Sequence, residues 1–189
     1  MKKVILLIVA ILAFGFVNAQ DVKFGVKGGL NLTNFSGGWD TNLKVGFHIG
    51  GFTEIKLIDR LAIQPELLFS AQGARYNMDG GNDSGAYKLN YINIPVLAKF
   101  YVTKQFTIEG GPQIGFLVSA KNDKRDVKDE YESIDLGLNF GTGYNFTDNL
   151  AIGLRYTVGL SDVLNKDYYN YYDNVSNSVL ALTLAYKFK

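Results

Sequence analysis

The chain has 189 residues, 47% of them hydrophobic and 20% charged, with no cysteine and a single histidine. Without cysteine there is no disulfide, thiolate metal site or cysteine nucleophile. Nineteen basic residues against 18 acidic ones leave no charge surplus that would favour nucleic acid. Glycine, at 21 residues, and aromatic residues, at 14%, are both abundant. Together they suit strands that bend closely past one another and present large rings on one face.

The N-terminal segment has the features of a secretory signal peptide. Lys2 and Lys3 precede an uncharged apolar run over residues 4–17, and Val17 and Ala19 stand at the positions that a signal peptidase reads. The run is shorter than the roughly 18 apolar residues of a membrane-spanning helix. We therefore predict a cleaved signal peptide at residues 1–19 and one mature, exported domain at residues 20–189.

Segments with a period of two follow and fill nearly the whole mature chain. Apolar residues alternate on one face of each segment, and glycine, polar and charged residues occupy the other. No sustained 3.6-residue period is present, so helices are not the main architecture. The pattern predicts eight strands, with apolar faces over residues 22–32, 43–55, 61–69, 92–102, 106–118, 134–146, 150–160 and 180–188.

The connections alternate between short and long. Tight turns are expected at residues 57–60, 103–105 and 147–149, and longer polar loops at residues 33–42, 74–86, 121–133 and 161–177. Short turns at one end and long loops at the other are typical of outer-membrane barrels, whose strands need about 10 residues to cross the hydrocarbon. The predicted fold class is all-β, an eight-stranded antiparallel up-and-down transmembrane β-barrel.

Aromatic residues cluster near the ends of the segments, as the two interfacial girdles of a membrane barrel do. The turn-side girdle is predicted to contain Phe24, Phe100, Phe106, Tyr144, Phe146, Tyr186 and Phe188. The loop-side girdle is predicted to contain Phe69, Tyr76, Tyr87, Tyr91 and Phe116. Alternation by itself does not say which face points inward, so a secreted soluble barrel that carries an apolar ligand, as lipocalins do, stays as an alternative.

Three segments resemble, in order and spacing, the PorT-like outer-membrane β-barrel family of Bacteroidetes. They are residues 63–70 (IQPELLFS), 91–100 (YINIPVLAKF) and 110–117 (GGPQIGFL), and residues 135–138 and 154–161 continue the similarity. The resemblance implies a barrel of the OmpA/OmpX type in the outer membrane, without an assigned biochemical activity. One departure is that Lys189 follows Phe188, whereas the family commonly ends on an aromatic residue.

Seven charged residues fall on the face that a barrel would turn inward. They form the predicted lumen charge network: Lys27, Glu54, Glu66, Lys99, Glu109, Asp135 and Arg155. An eight-stranded lumen is only wide enough for side chains and a little water, and unpaired charges there would be costly. The side chains are therefore expected to form salt bridges that plug the barrel. A narrow gated pore, in which the same pairs exchange partners, remains an alternative.

The sequence contains no catalytic or metal-binding pattern. His48 is the only histidine and has no serine motif or second histidine beside it. With no cysteine, a metal site would have to rely on carboxylates. We therefore expect no enzyme activity, no metal and no cofactor.

The best binding candidate is a tyrosine-rich loop segment at residues 167–174. Tyrosine offers a large amphipathic contact area at low entropic cost. The candidate surface residues are Tyr168, Tyr169, Tyr171 and Tyr172. The same rings could instead rest at the lipid headgroups.

These observations predict an outer-membrane barrel with a structural or surface-interaction role through its extracellular loops. The expected partners are outer-membrane lipid, the barrel-assembly machinery during insertion and an envelope or extracellular protein that the loops contact. No nucleic-acid partner is expected, and the barrel is expected to be a monomer.

Overall fold

The computed structural model describes residues 22–37, 41–77, 84–122, 125–166, 168 and 175–188. The predicted signal peptide lies outside these residues. No helix within them is long and apolar enough to span a membrane. The strands are β1 (Val22–Ser36), β2 (Lys44–Ile58), β3 (Leu61–Asn77), β4 (Ser84–Tyr101), β5 (Phe106–Asn122), β6 (Arg125–Asp126), β7 (Ile134–Asn145), β8 (Leu150–Gly159) and β9 (Ser176–Lys187).

All strands except the two-residue β6 form one closed barrel. Each barrel strand pairs antiparallel with its neighbours along the chain, and β1 pairs with β9 to complete the circle. Lys27, for example, lies opposite Gly50 on β2 and Ala185 on β9. Closure leaves no unpaired edge among the long strands. A sheet that spans a membrane must be closed in this way. The predicted eight-stranded up-and-down barrel is confirmed.

The strands β1, β3, β4, β5 and β9 are longer than the sequence pattern indicated, because they continue past the predicted segments at the loop end, whereas β7 and β8 keep nearly the predicted bounds. The predicted loop at residues 74–86 is wrong in its bounds. β3 runs on to Asn77 and β4 starts at Ser84, with Ala74 paired to Tyr87. Strands of up to 18 residues exceed the 9–11 or so needed to cross the hydrocarbon. The surplus extends the wall outwards at the loop end.

The polarity of the barrel is opposite to that of a soluble one. Large apolar side chains such as Leu30, Ile49 and Leu182 are about half exposed on the outer wall. Polar and charged side chains of the same strands, such as Asn31 and Thr183, are buried in the lumen. All seven aromatic residues of the predicted turn-side girdle are exposed on the outer surface. The apolar outside requires a lipid environment, which is evidence against the lipocalin-like alternative.

At the loop end, a cluster of buried apolar side chains packs together. We call this group the apolar cap; its members are Phe35, Ala74, Leu89, Tyr91, Leu117, Ala120, Val127, Tyr131, Val163, Leu164 and Val175. The first six lie on barrel strands, and the other five lie in the connections outside the long strands. Backbone hydrogen bonds hold the two longest connections together, from Glu132 N to Val163 O at 3.0 Å and from Val163 N to Val175 O at 2.8 Å.

The apolar cap corrects part of the predicted loop-side girdle. Tyr91 is fully buried inside the barrel, where its hydroxyl accepts a hydrogen bond from Asn177 at 3.4 Å. Tyr87 packs against the cap, and its ring lies 4.8 Å from that of Tyr76. The alternation places Tyr91 and Tyr87 on the face of β4 opposite to Ile92, and Tyr87 contacts the cap residue Tyr131, so the girdle assignment was wrong for both tyrosines.

Candidate functional site in the barrel lumen

The centre of the lumen is organised around Glu66 on β3. Arg155 on β8 donates two hydrogen bonds to it, from Nη1 to Oε2 at 2.8 Å and from Nη2 to Oε1 at 2.9 Å. Lys27 donates to Oε1 at 2.9 Å, and Gln64 Nε2 donates to the same oxygen at 2.6 Å. All four residues are buried. Such a fork is the strongest geometry that arginine and a carboxylate can form.

A second carboxylate completes this central group. Arg155 also donates to Glu109 Oε1, from Nη2 at 2.6 Å and from Nε at 2.8 Å. Two cations, Lys27 and Arg155, therefore face two anions, Glu66 and Glu109, and their charges cancel. Charges buried in this way are tolerated only when each has partners. We call these four residues the central tetrad.

A separate charged group lies nearer the turns. Glu54 is shared by the ammonium groups of Lys99 at 3.1 Å and Lys187 at 3.4 Å, and it also accepts a hydrogen bond from the Tyr101 hydroxyl at 2.5 Å. Gln64 Oε1 accepts from Lys99 at 3.2 Å and so joins this group to the central tetrad. Lys187 was missing from the predicted network, although it alternates onto the same face of β9 as Thr183. The C-terminal strand closes the barrel beside β1 and so brings Lys187 to Glu54.

Asp135 does not join the charge network, contrary to the prediction. It lies near the loop end, buried, and accepts a hydrogen bond from Ser161 Oγ at 3.3 Å. No cation forms an ion pair with it within the described part of the chain. The sequence pattern correctly placed Asp135 on the inner face of its strand. It lies at a different height along the barrel axis from Arg155 and Lys27, so it does not reach them.

His48 has a structural environment. Asn31 Nδ2 donates to three oxygens, those of Phe47, Ser70 and Ala71, so its Oδ1 is left to accept a hydrogen bond from His48 Nδ1 at 2.7 Å. Nε2 then accepts from the Thr183 hydroxyl at 2.9 Å. Both ring nitrogens are thereby occupied. No group of three or more metal-ligating side chains occurs among the residues that the structure describes.

Two small cavities lie in the middle of the lumen. One cavity of about 40 Å³ is lined by Lys27, Lys99, Glu109 and Arg155 among others. Another of about 30 Å³ lies beside His48 and Asn31. Each cavity is large enough to hold water, which needs roughly 10–15 Å³ of such space.

Of the tyrosine-rich loop, only Tyr168 lies within the described residues, and its side chain is exposed. Tyr169, Tyr171 and Tyr172 lie outside them. Sequence reasoning also missed the apolar cap. Its signal was present in the apolar residues Val127, Tyr131, Val163 and Leu164, which are unusual in otherwise charged connections.

A closed antiparallel barrel with an apolar outer wall and a polar lumen is a transmembrane β-barrel. Residues 18–165 match the model of the outer membrane protein beta-barrel domain family, and the chain belongs to this family. It is therefore an outer-membrane protein. No curated protein is similar enough in sequence to match the chain.

Solved structures show the same fold. Neisserial surface protein A is similar with a TM-score of 0.60 and 18% identity, over 89% of this chain and 100% of that one. Ail, the attachment invasion locus protein of Yersinia pestis, solved in complex with the heparin analogue sucrose octasulfate, is similar with a TM-score of 0.53 and 16% identity, again over 89% and 100%. At these identities the similarity establishes the architecture alone.

Proposed function

We propose that this protein is a closed, non-conducting and non-enzymatic outer-membrane barrel that acts at the cell surface through its loops. The observation that carries the proposal is the double closure of the lumen. The central tetrad occupies its middle, beside cavities of about 40 and 30 Å³, and the apolar cap covers its loop end. A hydrated ion has no passage through such an arrangement, which leaves the loops as the part that meets a partner.

The charge of the loops indicates what kind of partner they would contact. Residues 37–43, 78–83, 123–133 and 160–175 carry eleven carboxylates against four cationic side chains. Ail was solved with a sulfated polyanion, but an acidic surface repels such a ligand. We infer a partner with a basic or neutral surface, to which the tyrosines at 168, 169, 171 and 172 would add contact area.

We also propose that the chain belongs to the PorT-like branch of outer-membrane barrels found in Bacteroidetes. Support comes from the proline-bearing strands, at residues 63–70, 91–100 and 110–117. Removal of residues 1–19 as a signal peptide, insertion by the barrel-assembly machinery and a monomeric state complete this proposal.

Planar-bilayer recording of the refolded protein tests the closed lumen. The unaltered protein should give no steady current, whereas the variant E66A/R155A/L164A, which empties the central tetrad and loosens the apolar cap, should conduct or show frequent openings. Steady conductance by the unaltered protein would favour the gated-pore alternative instead.

The loop proposal is tested on intact cells, where only the loops are accessible. Cells that display the protein should bind immobilised lysozyme, a basic protein, more than cells without it, and should gain no binding to immobilised heparin. Replacing residues 167–173 by a Gly/Ser sequence of equal length should reduce the lysozyme binding. A gain on heparin would contradict the charge argument.

A further inference from the structure

The turn end of the barrel contains an open cavity of about 500 Å³ that the proposed surface role does not use. It is bounded by residues of all three tight turns and by the last residues of β2, β4 and β9. Its volume is comparable to that of small-molecule sites, which occupy about 300–1,000 Å³. In outer-membrane barrels the short turns face the periplasm, so we call it the periplasmic vestibule.

Positive charge dominates the lining of the vestibule. Five cationic side chains, those of Lys23, Lys56, Arg60, Lys104 and Lys187, face three carboxylates, those of Glu54, Asp59 and Asp148. This balance is opposite to that of the loop end, where carboxylates outnumber cations. A concave surface with a net charge of one sign concentrates ions of the opposite sign, because its low-dielectric walls focus the field.

The floor of the vestibule carries an uncompensated positive charge. Lys187 and Lys99 share the single carboxylate of Glu54, and both lysines are at least nine-tenths buried. The nearest deeper carboxylates, Glu66 and Glu109, are already matched by Lys27 and Arg155. A buried charge without a full counter-charge is unfavourable. An anion in the vestibule would compensate it.

Donors at the rim are free to receive that anion. Within the described residues, the side chains of Lys23, Arg60 and Lys104 form no ion pair. Lys56 lies over the Tyr101 ring, 5.7 Å from its centroid, and so stands beside the Glu54 group. Lysine offers a compact point charge and arginine a planar fork, and both are suited to the several oxygens of one phosphate.

We propose that the periplasmic vestibule binds a phosphate group. Lys187 at the floor and Lys23, Arg60 and Lys104 at the rim would donate to its oxygens. Two sources present this chemistry on the periplasmic side: a small phosphorylated solute, or the headgroup of a phospholipid in the inner leaflet that folds into the mouth.

The soluble source is tested with glycerol 3-phosphate as the probe, titrated into the full mature protein refolded in dodecyl maltoside micelles, which contain no phosphate, and followed by calorimetry. The variant R60Q/K104Q should weaken binding at least about tenfold, since it removes two charge-assisted contacts. The control variant K88Q/K121Q removes the same charge at the loop end, where both side chains are exposed, and should bind as the unaltered protein does.

The lipid source is tested in nanodiscs that contain phosphatidylglycerol, through the ³¹P resonance of the headgroup. A shifted or broadened signal that R60Q/K104Q abolishes and K88Q/K121Q preserves would assign the site to the lipid. Heat-modifiable migration on a gel verifies that every variant is folded. The proposal is overturned if neither probe binds, or if both double variants weaken binding equally. Conductance plays no part in either readout, so the outcome is independent of the closed-lumen proposal.

Discussion

Arg155 and Glu66 lie 89 residues apart in the sequence and form a two-pronged ion pair across the barrel lumen, with nitrogen–oxygen distances of 2.8 and 2.9 Å. The strands that carry them, β8 and β3, are not neighbours in the sheet. The pair therefore connects opposite walls of the barrel. Since Glu66 also binds Lys27, one carboxylate holds two cations in place.

Replacing Glu66 by Gln should destabilise the barrel strongly. The change leaves Lys27 with no carboxylate partner and Arg155 with Glu109 alone, and loss of one partner of a buried pair costs about 3–5 kcal/mol. Urea-dependent unfolding in lipid vesicles measures the effect. The same replacement at the exposed Glu132 should change the free energy of unfolding by less than about 0.5 kcal/mol. Equal stabilities for the two variants would contradict the importance of the tetrad.

Gly50→Ala should destabilise the barrel, whereas Gly51→Ala should not. A Cβ on Gly50, which faces the lumen, would lie 2.0 Å from the carbonyl oxygen of Leu67, while one on Gly51 would come no closer than 3.6 Å to Gly25 O. Backbone cannot yield as a flexible side chain can, so we expect a loss of about 1–3 kcal/mol at Gly50. Refolding yield and urea midpoints of the two variants provide the measurement. A comparable loss at Gly51 would show that strand flexibility, rather than close approach, is what glycine provides.

Arginine on the outer wall should destabilise the protein according to its depth in the membrane. Leu182, in the middle of β9, and Leu57, next to a turn, are both about half exposed. Leu182→Arg should cost about 2–4 kcal/mol and Leu57→Arg about 0–1 kcal/mol, because charge is most unfavourable at the bilayer midplane. Both are measured by unfolding in phospholipid vesicles. If Leu182→Arg were harmless, this face of β9 would not contact hydrocarbon.

Leu164→Ala should loosen the loops while leaving the barrel intact. Leu164 is buried in the apolar cap and pairs with Tyr131 through a single β-bridge. Truncation of a buried leucine costs about 2–5 kcal/mol, and here the loss falls on local opening of the connections. Trypsin should therefore cleave faster at Lys128 and Lys166, while heat-modifiable migration stays unchanged. Leu160→Ala, at an exposed position just after β8, is the control and should be cleaved as slowly as the unaltered protein.

Much of the fold could be predicted because a strand has a period of two, so the residue types on each face indicate whether that face meets lipid or the lumen. Lys27, Glu66, Lys99, Glu109 and Arg155 were all placed on the inner face by this rule, and the structure brings each of them into an ion pair. Period alone says nothing about height along the barrel axis, however. For that reason Asp135 was grouped with charges that it does not contact.

Apolar residues on the inner face were harder to recognise. Phe52, Leu68, Leu89 and Leu97 are buried inside the barrel, although the inner face was expected to carry small and charged residues. Phe52 packs within 5.5 Å of the Lys27 ammonium, measured to the ring centroid, and so fills the space beside it. The outward alternation was nevertheless correct beside Leu68 and Leu97, whose neighbours Leu67 and Val96 are exposed on the outer wall.

The sequence by itself determined the number of strands, the direction of each face and the end at which the long loops lie, because these properties depend on neighbouring residues along one chain. The tertiary structure alone decided which charges pair, that Lys187 joins Glu54, and that residues of the loops pack into an apolar cap at the mouth. Such contacts depend on the register between strands that are distant in sequence, and the stagger of a closed barrel sets that register. Among the abundant glycines, Gly50 illustrates both contributions. The alternation in the sequence places it in the lumen, and only the closed wall brings the backbone of Leu67 against it.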